Sequence, residues 1–228
     1  MTRRIVIATP HRRFDELEAR LDQDPRLDLL RIRDPQELSV DTLASFDPAY
    51  IFFPHWSWKI PEEVFQRFTC VIFHMTDVPF GRGGSPLQNL IARGFHETKL
   101  SALRCVAEMD AGPVFLKRPL SLFGTAEEIL MRAGDLCAEM IVEIALMNPQ
   151  SQPQEGEAVT FRRRKHADGD VANAESLTGL FDLIRMLDAD GYPRAFADIG
   201  PFRLEFDRAS LRPDTILADV RIRLRKED

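Results

Sequence analysis

The chain has 228 residues, a formal net charge of −6, 29% charged residues and 44% hydrophobic residues. That is one large domain or one with a small appendage, and the apolar fraction excludes wholesale disorder. Apolar runs such as Tyr50–Pro54 are too short to span a bilayer and no signal peptide stands before the first strand-like run, so a cytoplasmic protein with no membrane partner is expected.

In chain order, Ile5–Ala8 reads as a strand, and Arg12–Asp22 carries Phe14, Leu17 and Leu21 at helical spacing. Leu27–Ile32 is a second strand, Pro35–Phe46 a helix, and Tyr50–Phe53 a third strand whose continuous apolar run suits burial on both faces. Val64–Phe68 ends a helix, Cys70–Phe73 is a fourth strand, Pro86–Gly94 a helix and Leu100–Val106 a strand. Gly124–Leu146 is the longest helical pattern. The polar stretch Asn148–Glu157, with two prolines and a glycine, reads as a linker or long surface loop. A basic cluster (Arg162–Lys165), a helix near Ala174–Asp188 and β-type runs near Phe202–Phe206 and Ile216–Leu224 complete the pattern. The β-α-β alternation predicts an α/β, Rossmann-like domain with a mostly parallel sheet over residues 1–150, followed by a small C-terminal α+β lobe over 151–228.

Three segments carry candidate chemistry. His74 ends a predicted strand and opens the glycine- and proline-rich loop Met75–Pro86, where ligands of open α/β sheets bind. The glycines there have neither dinucleotide nor phosphate-loop spacing, so a classical NAD or ATP site is not supported. Asp110, again after a strand, is either a turn aspartate or the carboxylate that orients His74 and stabilises its charged form. His55–Pro61 holds both tryptophans, which either anchor the core or offer flat faces to a heterocycle. Cys70, Cys105 and Cys137 are too scattered for a zinc site or a disulfide framework, and no metal is expected.

Taken together, His74, Pro79, Arg82-Gly83-Gly84-Ser85-Pro86 and Gln88, with Asp110-Ala111-Gly112 beyond them, resemble the signature of the formyltransferases that use 10-formyltetrahydrofolate. One position departs from that pattern: the asparagine two residues before the histidine is Ile72 here, which shares a strand face with His74. The resemblance implies His74 as general base and Asp110 as its countercharge. It places Trp58, Ile60 and Glu108 around the pterin. Without the asparagine, either another donor substitutes (Thr76, Ser85 or a backbone N–H), or His74 itself does the work as imidazolium, or activity is weak or absent. Arg82 then either binds the donor's glutamate or an acceptor phosphate, or braces backbone carbonyls. Asp77 holds the acceptor amine or caps a turn. Arg185 and Tyr192 face a nucleotide or brace the fold, and the basic cluster is a solvated face unless one arginine reaches a diphosphate.

The loop from Met75 to Gly83, the segment Phe53–Pro61 and Arg185–Phe196 are most similar to the sugar N-formyltransferases within that family. The stretch after the linker looks too short for the C-terminal RNA-binding domain of a methionyl-tRNA formyltransferase. The expected acceptor is therefore the amine of a nucleotide-linked amino sugar, in surface-polysaccharide biosynthesis, with folate as the other partner. No nucleic-acid partner is expected on this reading, and a homodimer is allowed. The alternatives are another amine acceptor, such as a carrier-bound aminoacyl group, or a folate-binding protein without turnover.

Overall fold

The computed structural model of the protein describes residues 2–225. The elements run β1 (Arg3–Ala8), α1 (Asp15–Asp22), β2 (Leu27–Ile32), α2 (Val40–Phe46), β3 (Tyr50–Phe53), α3 (Glu62–Arg67) and β4 (Cys70–His74). They continue with β5 (Phe80–Gly83), α4 (Pro86–Ile91), β6 (Glu97–Arg104), β7 (Val114–Ser121), α5 (Ala126–Met147) and β8 (Val159–Phe161). The chain then forms α6 (Leu177–Arg185), β9 (Ala195–Ile199), β10 (Phe202–Leu211) and β11 (Ile216–Leu224). They divide between two compact units. The first comprises residues up to Gly83, Thr98–Leu120 and Met131–Thr160; the second comprises Gly84–Glu97, Ser121–Leu130 and the chain from Phe161 on.

The first unit is built on a six-stranded sheet in the order β2-β1-β3-β4-β6-β7. β1 pairs parallel with β2 and β3, and β3 with β4, whereas β6 runs antiparallel to β4. The sheet is thus mostly parallel, with an antiparallel side that strand–helix alternation alone does not reveal. Successive strand side chains face opposite sides, and both sides here are covered. Ile5, Ile7, Tyr50, Phe52 and Val71 pack with Phe14, Leu17 and Leu21 around α1 and with Met140, Ile141 and Ile144 of α5. Val6, Ala8, Ile51, Phe53 and Cys70 pack with Leu38, Leu43, Ile60 and Val64 on the other side. This double coverage is why the strands read as unbroken apolar runs. Each such fully buried side chain contributes about 1.5–3 kcal/mol.

Local signals set several element ends. α5 begins at Ala126 and not at Gly124 because Thr125 and Glu128 form a reciprocal cap: the Glu128 amide donates to Thr125 Oγ1 at 3.3 Å, and the Thr125 amide donates to Glu128 Oε2 at 2.7 Å. α6 begins after Ser176, whose hydroxyl accepts from the Gly179 amide at 3.0 Å. β7 was not anticipated, since Lys117, Arg118 and Pro119 break its apolar run. It lies at the edge of the sheet order, where a proline is tolerated. Asn148–Glu157 is tied down rather than free, because Val114 and Gln152 exchange both backbone hydrogen bonds, at 2.7 and 2.9 Å.

The second unit holds the antiparallel sheet β11-β10-β9, with α6 packed on β10. Among the described residues no helix is long and apolar enough to cross a membrane.

Candidate active site

The site forms where β4 ends. His74 is buried, and its Nε2 lies 2.8 Å from the Gly81 carbonyl oxygen. A carbonyl only accepts, so this contact assigns the hydrogen to Nε2 and leaves the lone pair on Nδ1. Nδ1 faces Asp110 Oδ2 at 3.5 Å. A proton arriving at Nδ1 would therefore sit between the imidazole and a carboxylate that is itself 12% exposed. The two residues are 36 positions apart in sequence. They meet because β6 pairs with β4, His74 opposite Ser101, and the chain turns back from β6 into the Asp110 loop.

Asp110 has a left-handed φ of 53°. Its Oδ2 accepts from the Gly83 amide at 2.9 Å, which joins its loop to the end of β5. Gly112 lies so close to β6 that a Cβ there would stand 1.7 Å from the Arg104 carbonyl oxygen. Thr76 is buried, and its hydroxyl is turned to the Gly81 carbonyl at 3.3 Å while its own carbonyl accepts from Ser101 Oγ at 2.7 Å.

The remaining expected residues fall into distinct places. Arg82 donates from Nε and Nη2 to Gln154 Oε1, at 3.0 and 2.9 Å, and pairs with Glu108 at 3.3 Å. Its guanidinium thus braces side chains of the protein itself. Asp77 sits between Lys117 Nζ at 2.5 Å and Lys99 Nζ at 2.9 Å. Burial works to raise the Asp77 carboxyl, but hydrogen bonds and charge from these two lysines outweigh it and hold it below its ordinary value. Two ammonium groups already compensate this carboxylate, leaving it a poor seat for a third. Ile60 is buried in the core beside α3, whereas Trp58 is 46% exposed and packs edge-on against Trp56 at 4.9 Å. Ile72 lies partly buried against the same core.

Arg185 and Tyr192 belong to the second unit. Arg185 is buried, donating to the Leu122 and Gly124 carbonyls at 2.6 and 2.9 Å and pairing with Asp182, so it braces the fold there. Sequence reasoning passed over Gln154, Lys99, Lys117 and the Gly81 carbonyl. Gln154 lies in a stretch whose composition reads as linker, and a main-chain acceptor leaves no mark in a sequence.

Beyond the ends of β1 and β3, the rings of His11 and His55 lie against each other, tilted by 33° with centroids 4.3 Å apart. Burial, and then the charges of His11 and Arg13, hold His55 at about 3, against an ordinary value of 6.5. The folded protein therefore keeps this imidazole neutral, while the unfolded chain takes up a proton below about pH 6.5. Stability is unaffected above that pH and falls by about 1.4 kcal/mol per unit as the pH drops below it towards 3. Urea unfolding between pH 7 and 5 should show this slope and lose most of it in His55→Gln; an equal slope in both proteins would refute it.

A family model described as "Methionyl-tRNA formyltransferase, C-terminal domain" matches residues 166–223. A curated methionyl-tRNA formyltransferase from Clavibacter michiganensis is 31% identical over 143 residues, which is 60% of this chain and 46% of that protein. The chain thus spans about half the length of that relative. The solved structure of methionyl-tRNA formyltransferase from Clostridium thermocellum is 46% identical, with a TM-score of 0.94, covering 97% of this chain and 99% of that one. A sugar N-formyltransferase from Shewanella sp FDAARGOS_354 matches with a TM-score of 0.64 over 99% of both chains, but at 15% identity it shares the fold alone.

These findings correct three expectations. The nucleotide-linked amino sugar as acceptor, the place in surface-polysaccharide biosynthesis and the exclusion of nucleic acid as a partner are all overturned by the 46% identity to a methionyl-tRNA formyltransferase. The C-terminal stretch, judged too short for that family's RNA-binding domain, is the part its C-terminal model matches. With near-complete coverage of a relative at 46% identity, the chain belongs to the formyltransferase family that includes methionyl-tRNA formyltransferase.

Proposed function

We propose that the chain is an N-formyltransferase that moves the formyl group of 10-formyltetrahydrofolate to the amine of an aminoacyl group held on a carrier, with methionyl-tRNA as that acceptor. The observation that carries the reading is the His74–Asp110 pair at the carboxyl end of β4, in a chain 46% identical along its length to a protein of that name. Within this reading residues 1–150 supply the transfer chemistry, 151–228 form an extension that helps receive the acceptor, and the reaction is cytoplasmic.

The amine attacks the formyl carbon only when unprotonated, and it must shed one proton as the new C–N bond forms and the bond to the folate N10 breaks. His74 Nδ1 is the ring nitrogen with a lone pair, so it takes that proton; Asp110 holds the resulting imidazolium, and the proton is returned to N10 as it leaves. Trp58, with nearly half its surface open, offers a flat face suited to a pterin. No asparagine stands at position 72 to polarise the formyl oxygen, so that role falls to another donor. With a net charge of −6, contact with tRNA phosphates falls to local basic groups, of which Arg162, Arg163 and Lys165 are exposed.

The test is a formylation assay with 10-formyltetrahydrofolate and either methionyl-tRNA or free methionine, read by mass spectrometry of the N-formyl product. Transfer to methionyl-tRNA, weakening steeply as salt rises, is expected. Equal rates on free methionine, or product from neither, would overturn the reading.

A further inference from the structure

The carboxamide of Gln154 uses every hydrogen-bonding position it has, and all of them within the first unit. Its Oε1 accepts from Arg82 Nε and Nη2 at 3.0 and 2.9 Å, and its Nε2 donates to the carbonyls of Asp110 and Gly112 at 2.7 and 2.8 Å. Arg82 precedes Gly83, whose amide is the group that holds Asp110 Oδ2. One side chain therefore spans the end of β5 and the Asp110 loop, the two segments that together aim the carboxylate at His74 Nδ1. The Asp110 backbone occupies the left-handed region, at a φ of 53°, so the direction of its side chain depends on how this loop is held. Gln154 itself is anchored by the backbone exchange between Gln152 and Val114, in a stretch with no regular secondary structure of its own.

We propose that Gln154 is a positioning residue of this site: its carboxamide fixes the Asp110 loop against the Arg82–Gly83 segment and so sets the Asp110–His74 geometry. The inference rests on the reading of His74 and Asp110 as the transfer pair. It gives a polar, proline-flanked stretch a part in the chemistry and makes Arg82 one strut of that support. Neutral amide chemistry suits the place, because the same group must accept from a cation on one side and donate to two carbonyls on the other. Neither glutamate nor lysine does both.

Two variants of the full chain test it. Gln154→Met keeps the length and volume of the side chain and removes all four hydrogen bonds. Gln154→Glu keeps a charge-assisted pair with Arg82 but cannot donate to the Asp110 and Gly112 carbonyls. In both, kcat for formyl transfer should fall on the order of 10–10²-fold, as for a misplaced catalytic group, with KM for both substrates changed little. Histidine ring signals from NMR of labelled protein, with His74 assigned by its loss in His74→Asn, give a readout that needs no turnover. The His74 signal should move in both variants in the direction it moves in Asp110→Asn. A wild-type protein that transfers no formyl group would refute the proposed function, and the His74 signals would still decide the role of Gln154. Wild-type kcat in Gln154→Glu, or a His74 signal unmoved in both variants, would overturn it.

Discussion

Replacing His74 with asparagine is expected to lower formyl transfer by about 10²–10⁴-fold, the usual worth of a positioned general base. The substitution removes the lone pair on Nδ1 but sits at the end of β4, where the strand's backbone pairing with β6 is independent of the side chain. Asp110→Asn should cost nearly as much. Asparagine tolerates the left-handed φ of 53° as well as aspartate does, and its carbonyl can still accept from the Gly83 amide, so what is lost is the charge facing the imidazole. On the proposed function, in which the two residues act as one unit, the double variant should be barely slower than the worse single one. Single-turnover rates at saturating donor and acceptor measure all three. Near-normal turnover in His74→Asn would remove this pair from the mechanism.

The second large effect is structural. In Gly112→Ala the new Cβ would lie 1.7 Å from the Arg104 carbonyl oxygen and 2.9 Å from its carbon. Neither is the end of a flexible side chain. The Arg104 amide also donates to the Pro113 carbonyl at 2.9 Å, so the two segments cannot separate without breaking the β6 edge. The loop carrying Asp110 would have to move, taking with it the Gly112 carbonyl that Gln154 holds. A loss of about 4 kcal/mol or more is expected, at the upper end for a single substitution, together with loss of turnover. Gly94→Ala is the control. Nothing lies within 4 Å of its Cβ, and the positive φ of 76° alone should cost about 1–2 kcal/mol. Urea unfolding compares the two, and equal midpoints would show that β6 gives way more easily than its hydrogen bonding implies.

Much of this protein is decided by local sequence. The runs Tyr50–Phe53 and Ile216–Leu224 form strands over those very residues, because apolar and β-branched side chains at short range leave little else for the backbone to do. The α/β class and the loop that begins at His74 follow from the same alternation. The formyltransferase resemblance was legible too, since it rests on several residues at fixed spacing along one stretch. Three things were settled only by the folded chain. The antiparallel placement of β6 brings Asp110 to His74, and strand direction is set by where a strand docks rather than by its own residues. β7 is hidden because its charged residues and proline suit a sheet edge, a position no local pattern encodes. Gln154 reaches Arg82 across 72 residues, and a glutamine in a polar stretch has the same composition whether it is solvated or spans two loops.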